Sequence, residues 1–129
     1  MPREIIQPAG LMDPRPKYAQ VSRCGNQVYL AGQLALDIEG NLVGKGDIET
    51  QARQIFENLK HGLDAVGASF DNVVKINVYL TNITNQLGVV AKVRQEYFKT
   101  ESVPSTTVEV SALALPDCLL EIEAIALMN

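Results

Sequence analysis

Two carboxylates near the end of the chain, Glu121 and Glu123, have a spacing at which side chains can act together in acid–base chemistry. They lie two residues apart in the segment Leu119–Leu127. In a strand this spacing puts both side chains on one face, roughly 6–7 Å apart. Paired carboxylates can take up and release protons during a reaction. A salt bridge to Lys75 or to a neighbouring subunit explains Glu123 at least as well, because a buried carboxylate needs a partner.

The remaining reactive side chains form no recognisable catalytic arrangement. His61 is the single histidine, and it lies opposite the apolar stripe of its predicted helix, which argues against a Ser-His-Asp or Cys-His centre. Cys24 and Cys118 are far apart and form no CxxC pair, so we interpret them as reduced thiols of a cytoplasmic protein. Two cysteines and one histidine cannot complete a zinc site without carboxylates, and we predict no metal.

The composition narrows the possible partners. The chain has 129 residues, with 11 Lys plus Arg against 15 Asp plus Glu and a net charge of −4, which argues against nucleic-acid binding. No apolar segment approaches the ~18 residues of a membrane span, and no signal peptide is visible. We therefore expect one domain over residues 1–129, in the cytoplasm and without a membrane partner. Charged residues make up 20% of the chain, less than usual for a soluble domain, which hints at buried subunit contacts.

The elements that must position these residues follow from turn residues and from the spacing of apolar side chains. We predict strands at Tyr18–Arg23, Gln27–Ala31, Asn72–Leu80, Thr106–Ala112 and Leu119–Leu127, one helix from the cap Asp47 to Gly67, and another from about Thr84 to Lys99. Gly25-Asn26 suits a tight hairpin between the first two strands. The order, near ββα-ββ-α-ββ, predicts an α+β sheet with helices on one face.

The other face of the sheet is predicted to be polar with apolar residues among the polar ones. Strand alternation places there Lys75, Asn77, Tyr79, Thr107, Glu109, Ser111, Glu121 and Glu123. Leu119, Ile125 and Leu127 share that side. A solvated outer face explains the polar residues, but the apolar ones favour a surface covered by a partner subunit.

Three segments resemble the RidA/YjgF family, also labelled endoribonuclease L-PSP or translation-initiation inhibitor. They are Tyr18-x-Gln20…Gly25-Asn26…Leu30-Ala-Gly-Gln33, Gln51-Ala-Arg-Gln54…Asn58-Leu, and Thr107-Val-Glu-Val110…Glu121-Ile-Glu-Ala-Ile-Ala126. The resemblance covers nearly the whole chain. It implies a chorismate-mutase-like α+β fold with a mixed six-stranded sheet and two helices on one face. It also implies a homotrimer with a central barrel and with small-molecule clefts between neighbouring subunits.

The same resemblance implies an activity and its residues. The activity is the hydrolysis of reactive enamine or imine intermediates, released by pyridoxal-phosphate enzymes, to a 2-oxo acid and ammonia, without metal or cofactor. Glu121 matches the family glutamate that positions or activates water, and Tyr18 matches the cleft tyrosine. Ala31 replaces a serine before Gly32, so that the backbone there remains to contact a ligand. Thr107 replaces the cleft cysteine and keeps a hydrogen-bonding group.

The chain departs from the family at the cleft arginine, which falls on Ser105. In deaminating members that arginine holds the substrate carboxylate through two parallel hydrogen bonds, whereas a serine hydroxyl gives one neutral donor. The loss should cost about 2–4 kcal/mol of binding, which is ~30- to 1,000-fold. The expected deaminase therefore acts on substrates whose acid group is absent or held by another cation, with Arg15, Lys17 or Arg23 as candidates.

Two other functions compete with the deaminase. A noncatalytic trimer that binds a metabolite or a partner protein in the same clefts is the main alternative. Ribonuclease or translation inhibition follows from the family label, but the negative net charge and the single surface histidine argue against it.

Overall fold

Six strands and two helices make up the computed structural model, which describes residues 2–129. The strands are β1 (Glu4–Ile6), β2 (Val21–Cys24), β3 (Gln27–Gln33), β4 (Val73–Leu80), β5 (Ser105–Glu109) and β6 (Leu120–Leu127); the helices are α1 (Ile48–Asp64) and α2 (Ile83–Tyr97), and a short 3-10 helix covers Phe70–Asn72. The sheet has the order β1-β2-β3-β6-β4-β5. Neighbouring strands are antiparallel except β4 and β5, which are parallel. The predicted α+β class with a mixed six-stranded sheet is confirmed.

The order of elements along the chain differs from the predicted one in two places. The sixth strand is β1 at the N-terminus, where Glu4–Ile6 pairs with Val21–Arg23 of β2, and one strand rather than two separates the helices. Three residues are too few to show alternation, so β1 gave no sequence signal. Tyr18, predicted to begin the first strand, lies before β2 in an irregular segment.

Helix α1 begins and packs as its sequence predicts. The Asp47 side chain accepts a hydrogen bond from the Thr50 backbone N–H at 3.1 Å, which caps the first turn. The predicted stripe at steps of three and four is buried throughout, from Ala52, Ile55, Phe56, Leu59 and Leu63 within the helix to Val66 just after it, since α1 ends at Asp64 rather than Gly67. Full burial of a large apolar side chain contributes about 1.5–3 kcal/mol. This stripe therefore fixes which side of α1 faces the sheet, and His61 is left exposed, as expected.

Strand β5 at the edge of the sheet has its faces reversed relative to the prediction. Its parallel register pairs Thr107 with the buried Val78, so Thr107 and Glu109 lie on the helix side. The Glu109 carboxylate accepts a hydrogen bond from the Ile83 backbone N–H at 2.9 Å, where the helix dipole of α2 favours a negative charge. Val108 lies on the other face and is 41% exposed. Placing Thr107 and Glu109 with the polar face was wrong.

The face of the sheet away from the helices, here called the open face, carries Lys75, Asn77, Tyr79, Glu121 and Glu123 as predicted, whereas Ser111 and Leu119 lie outside the strands. Glu123 accepts hydrogen bonds from the Asn77 amide and the Tyr79 hydroxyl, each at 2.9 Å. Lys75 donates instead to the Thr106 hydroxyl at 2.8 Å. Of the two partners predicted for Glu123, Lys75 was therefore wrong, because neutral donors on the adjacent strand already hold the carboxylate, and a partner from a neighbouring subunit stays a prediction.

The structure also bears on two other predictions, which concern membrane-spanning segments and the two cysteines. Neither of the helices in residues 2–129 is long and apolar enough to cross a membrane. Cys24 is partly buried and Cys118 is buried, and no disulfide joins them. Burial raises the pKa of the Cys118 thiol, which makes it a poor nucleophile.

Candidate functional site

A cavity of about 250 Å³ lies between the N-terminal segment and strands β3 and β6. It is lined by Leu11, Met12, Tyr18, Gln20, Ala31, Gly32, Gln33, Leu34, Leu36, Asn58, Ala114 and Glu121. Four of the six predicted site residues, Tyr18, Ala31, Gly32 and Glu121, therefore come together. Among these lining residues Glu121 carries the single charge.

A β-bulge shapes the wall of this cavity. Strand β3 pairs with β6 through Leu30↔Ala124 and Gln33↔Ile122, so β3 has one residue more than β6 over this stretch. The extra residue interrupts the ladder at Ala31–Gly32 and turns the backbone there out of the regular pairing. The Ala31 N–H donates to the Gln20 carbonyl at 2.8 Å. The bulge thus places Ala31 and Gly32 at the cavity.

The carboxylate of Glu121 lies directly against Gly32. A Cβ atom added to Gly32 would come within 2.7 Å of both Cδ and Oε2 of Glu121, a distance that real contacts do not reach. Burial raises the pKa of the Glu121 carboxyl, and the negative charge of Glu123 raises it further. Such a carboxyl exchanges a proton closer to neutral pH than an ordinary glutamate does, which suits a general acid–base group.

Tyr18 stands at the mouth of the cavity. Its side chain is 49% exposed. Partial burial raises the pKa of the Tyr18 hydroxyl, and the charge of Glu121 adds to this effect. The phenol therefore remains protonated at neutral pH and is available as a hydrogen-bond donor beside the carboxylate.

Buried amides hold the loops around the cavity, a role that the sequence had not revealed. Gln33 donates to the Gln20 side-chain oxygen at 2.7 Å, and Gln20 donates to the Met12 carbonyl at 2.9 Å. Asn58 of α1 donates to the carbonyls of Leu34 and Leu36 at 3.2 and 2.9 Å. Gln20, Gln33 and Asn58 are all at most 5% exposed. All three residues lie in the segments that resemble the family, but no function could be assigned to them from the sequence.

The structure does not bring Ser105 and Thr107 to this cavity within one chain. They lie on β5, which β4 separates from β6, and they face the helix side, whereas Glu121 faces the open side. Ser105 has a neighbour that the sequence did not predict: Arg94 of α2 donates from Nη1 to the Ser105 hydroxyl at 3.2 Å.

The cations proposed from sequence as replacements for the family arginine do not line the cavity either. Arg15 forms an ion pair with Asp13 at 2.6 Å, and Arg23 donates to the Gly25 carbonyl at 3.0 Å. In the part of the chain that the structure describes, no three His, Cys, Asp or Glu side chains are grouped closely enough to hold a metal ion.

Comparison with known proteins identifies the family. The family described as Endoribonuclease L-PSP matches residues 11–128. The 2-iminobutanoate/2-iminopropanoate deaminase of Dermatophagoides farinae is 32% identical over 99% of this chain and 98% of that protein. The 3-aminoacrylate deaminase RutC of Acinetobacter baylyi is 34% identical over 98% of each. The crystal structure of RidA from an Antarctic Psychrobacter species superposes with a TM-score of 0.88 at 32% identity, covering 97% of this chain and 99% of that one. With matches of this extent to the sequence and to the fold, the chain belongs to the endoribonuclease L-PSP family, together with RidA and RutC proteins.

Proposed function

We propose that this protein is a deaminase that hydrolyses reactive enamines and imines to the carbonyl compound and ammonia. The observation that carries the proposal is the Glu121 carboxyl, whose pKa is raised and which is held against the Gly32 backbone in a cavity shared with Tyr18. The names of two relatives, deaminases of 2-iminobutanoate and of 3-aminoacrylate, support the same reaction class.

The proposed reaction adds one water across the C=N bond. Ionised Glu121 accepts a proton from water while the water oxygen bonds to the imine carbon, and the proton passes on to nitrogen. The hydroxyl of the resulting carbinolamine then gives its proton to nitrogen by way of Glu121, the C–N bond breaks as C=O forms, and ammonia leaves. An enamine enters the same sequence once its carbon has been protonated. No electrons are gained or lost, so that the balance requires neither an oxidant nor a reductant.

The other cavity groups orient the substrate. The Tyr18 phenol and the main chain of Gly32 offer hydrogen bonds next to Glu121, where a substrate nitrogen or a developing oxygen would lie. Donors placed in advance beside the reacting atoms are among the larger contributions to catalysis. Ser105 and Thr107 join this site in our proposal from a neighbouring subunit.

The open face supports a homotrimer in which that neighbour is present. Large apolar side chains lie on it exposed, among them Tyr29 at 42%, Val108 at 41% and Leu127 at 49%. Tyr29 also lines a concavity of about 440 Å³ that includes Lys75 and Glu123. Exposed apolar residues mixed with held polar groups are typical of a covered subunit interface. The proposed trimer turns the three open faces toward a central barrel and leaves a ligand cleft between each pair of subunits.

The assembly has a direct test in solution. Light scattering at micromolar concentration should give about three times the 14.1 kDa mass of one chain. Val108→Lys, which puts a charge on the open face, should shift the mass toward the monomer. Ile38→Lys is the matched control, because Ile38 is 56% exposed in a loop outside the sheet. A wild-type mass near 14.1 kDa would refute the trimer.

The activity is tested with imines made in place. An amino-acid oxidase supplies an imino acid, an amine oxidase supplies an imine without an acid group, and semicarbazide traps whatever is not hydrolysed. The proposal predicts less trapped product with the protein than without it, for at least one of the two substrates. If neither substrate is consumed faster while a small acid still stabilises the trimer against heat, the protein is the noncatalytic binding trimer instead.

A further inference from the structure

The cavity around Glu121 cannot hold an acidic substrate by itself. Its single charged lining residue is a carboxylate, which repels a second carboxylate at short distance. Ser105, at the position of the family arginine, adds no charge. If the substrate has an acid group, a cation must come from another element.

Arg94 is the cation that the structure places beside Ser105. Its Nη1 atom donates to the Ser105 hydroxyl at 3.2 Å, and the residue is partly buried. Among residues 2–129, Arg94 forms no ion pair within 4 Å, whereas Arg53 on α1 binds Glu49 at 3.2 Å and Glu96 at 3.0 Å. Arg94 is thus a guanidinium whose charge no carboxylate of the described residues compensates within 4 Å.

The surroundings of Arg94 can admit a small anion. A cavity of about 130 Å³ is lined by Arg94, Gln95, Phe98, Ser102, Val103 and Ser105. This lining offers hydroxyls and an amide as further donors, and no carboxylate. A guanidinium has five N–H donors. One is used by Ser105, and the others leave a fork that matches the two oxygens of a carboxylate.

We propose that Arg94, held by Ser105, binds the carboxylate of an acidic imine or enamine substrate. The inference rests on the proposed function, because the β5 edge and α2 of one subunit must face the Glu121 cavity of the next. The substrate class is then a small monocarboxylic acid with a C=N or enamine group. In this chain the guanidinium comes from the helix, and the strand residue orients it.

The kinetic test separates acidic from neutral substrates. Arg94→Gln should lower kcat/KM for an imino acid by ~30- to 1,000-fold, and should leave the value for an imine without an acid group within about twofold, since the variant removes carboxylate binding alone. Arg53→Gln is the matched control, because it removes a helix arginine that already has its own carboxylate partners. Arg94→Gln combined with Ser105→Arg should recover most of the acid-substrate activity, which a merely structural role of Arg94 does not predict.

A binding measurement keeps this inference independent of turnover. 2-Oxobutanoate should raise the melting temperature of wild type and of Arg53→Gln but not that of Arg94→Gln. If wild type binds 2-oxobutanoate through Arg94 and hydrolyses no imine, the proposed function fails and the carboxylate site stands. If Arg94→Gln keeps both the binding and the acid-substrate rate, the carboxylate site fails and the deaminase stands. Should Arg94→Gln not fold, Arg94→Lys decides: a raised KM for the acid alone supports the site, and an unchanged KM overturns it.

Discussion

Replacing Glu121 with glutamine is expected to lower kcat/KM for imine hydrolysis by roughly 10²–10⁴-fold, the usual contribution of a positioned general base. Glutamine keeps the shape of the side chain and so preserves the contact with Gly32, but it cannot accept a proton from water. The measurement is the trapping assay at saturating and subsaturating imine. A variant with wild-type rates would remove Glu121 from the mechanism.

The same substitution is expected to stabilise the protein at neutral pH. The folded-state pKa of Glu121 is raised above its ordinary value of 4.5 by burial and by Glu123, so the ionised form is disfavoured in the folded state relative to the unfolded one. That destabilisation is present above the folded pKa and disappears as the pH falls below the unfolded one. Glu121→Gln should therefore melt at a higher temperature than wild type at pH 7, and the difference should vanish near pH 4.

The pH dependence of the activity tests the role of Glu121 in a second way, with Glu123→Gln as the matched variant. Activity needs ionised Glu121, so it should fall as the pH drops through the raised pKa. Glu123→Gln leaves Glu121 in place but removes the charge that helps to raise its pKa. The acidic limb of that variant should lie at lower pH than that of wild type, with most of the rate retained at pH 7. An acidic limb that does not move would show that Glu123 has no influence on the reacting carboxyl.

Residues near one another in sequence could be placed from sequence, and those in contact across elements could not. The α1 stripe, its Asp47 cap and the shared face of Glu121 and Glu123 follow from spacing alone, because helix and strand periods are local properties. The prediction of which β5 side chains lie on which face failed because β5 is an edge strand. β5 has a neighbouring strand on one side only, so its two faces do not differ clearly in burial. Glu109 is oriented instead by its hydrogen bond to the start of α2.

For the candidate site too, sequence could predict individual residues but not a contact between separate elements. The family resemblance predicted Tyr18, Gly32 and Glu121 as site residues, and the structure brings them to one cavity. The hydrogen bond between Arg94 and Ser105 could not be predicted, because a contact between α2 and β5 leaves no mark in the spacing of either element. The proposed replacement of a strand arginine by one on a neighbouring helix rests on a contact that is visible only when the side chains are placed in space.

Gly32→Ala is the second substitution with a large expected effect, and it changes no group that takes part in the chemistry. The added Cβ would lie 2.7 Å from the Glu121 carboxyl, so that the flexible end of that side chain must move while the backbone stays. Since a misplacement of about 1 Å costs on the order of 10²-fold in rate, kcat/KM should fall by that factor. Gly88→Ala is the matched control, because nothing lies within 4 Å of its new Cβ, and in the interior of α2 it should add about 0.5–1 kcal/mol of stability without changing the rate.

The pH profile of Gly32→Ala shows whether the loss comes from displacement or from misfolding. A Glu121 carboxyl pushed toward solvent loses the burial that raises its pKa, so the residual activity should have its acidic limb at lower pH. A misfolded variant would instead lose active molecules and keep the wild-type profile. Full activity in Gly32→Ala would mean that the carboxylate works from another position, and the catalytic geometry proposed around the bulge would then be wrong.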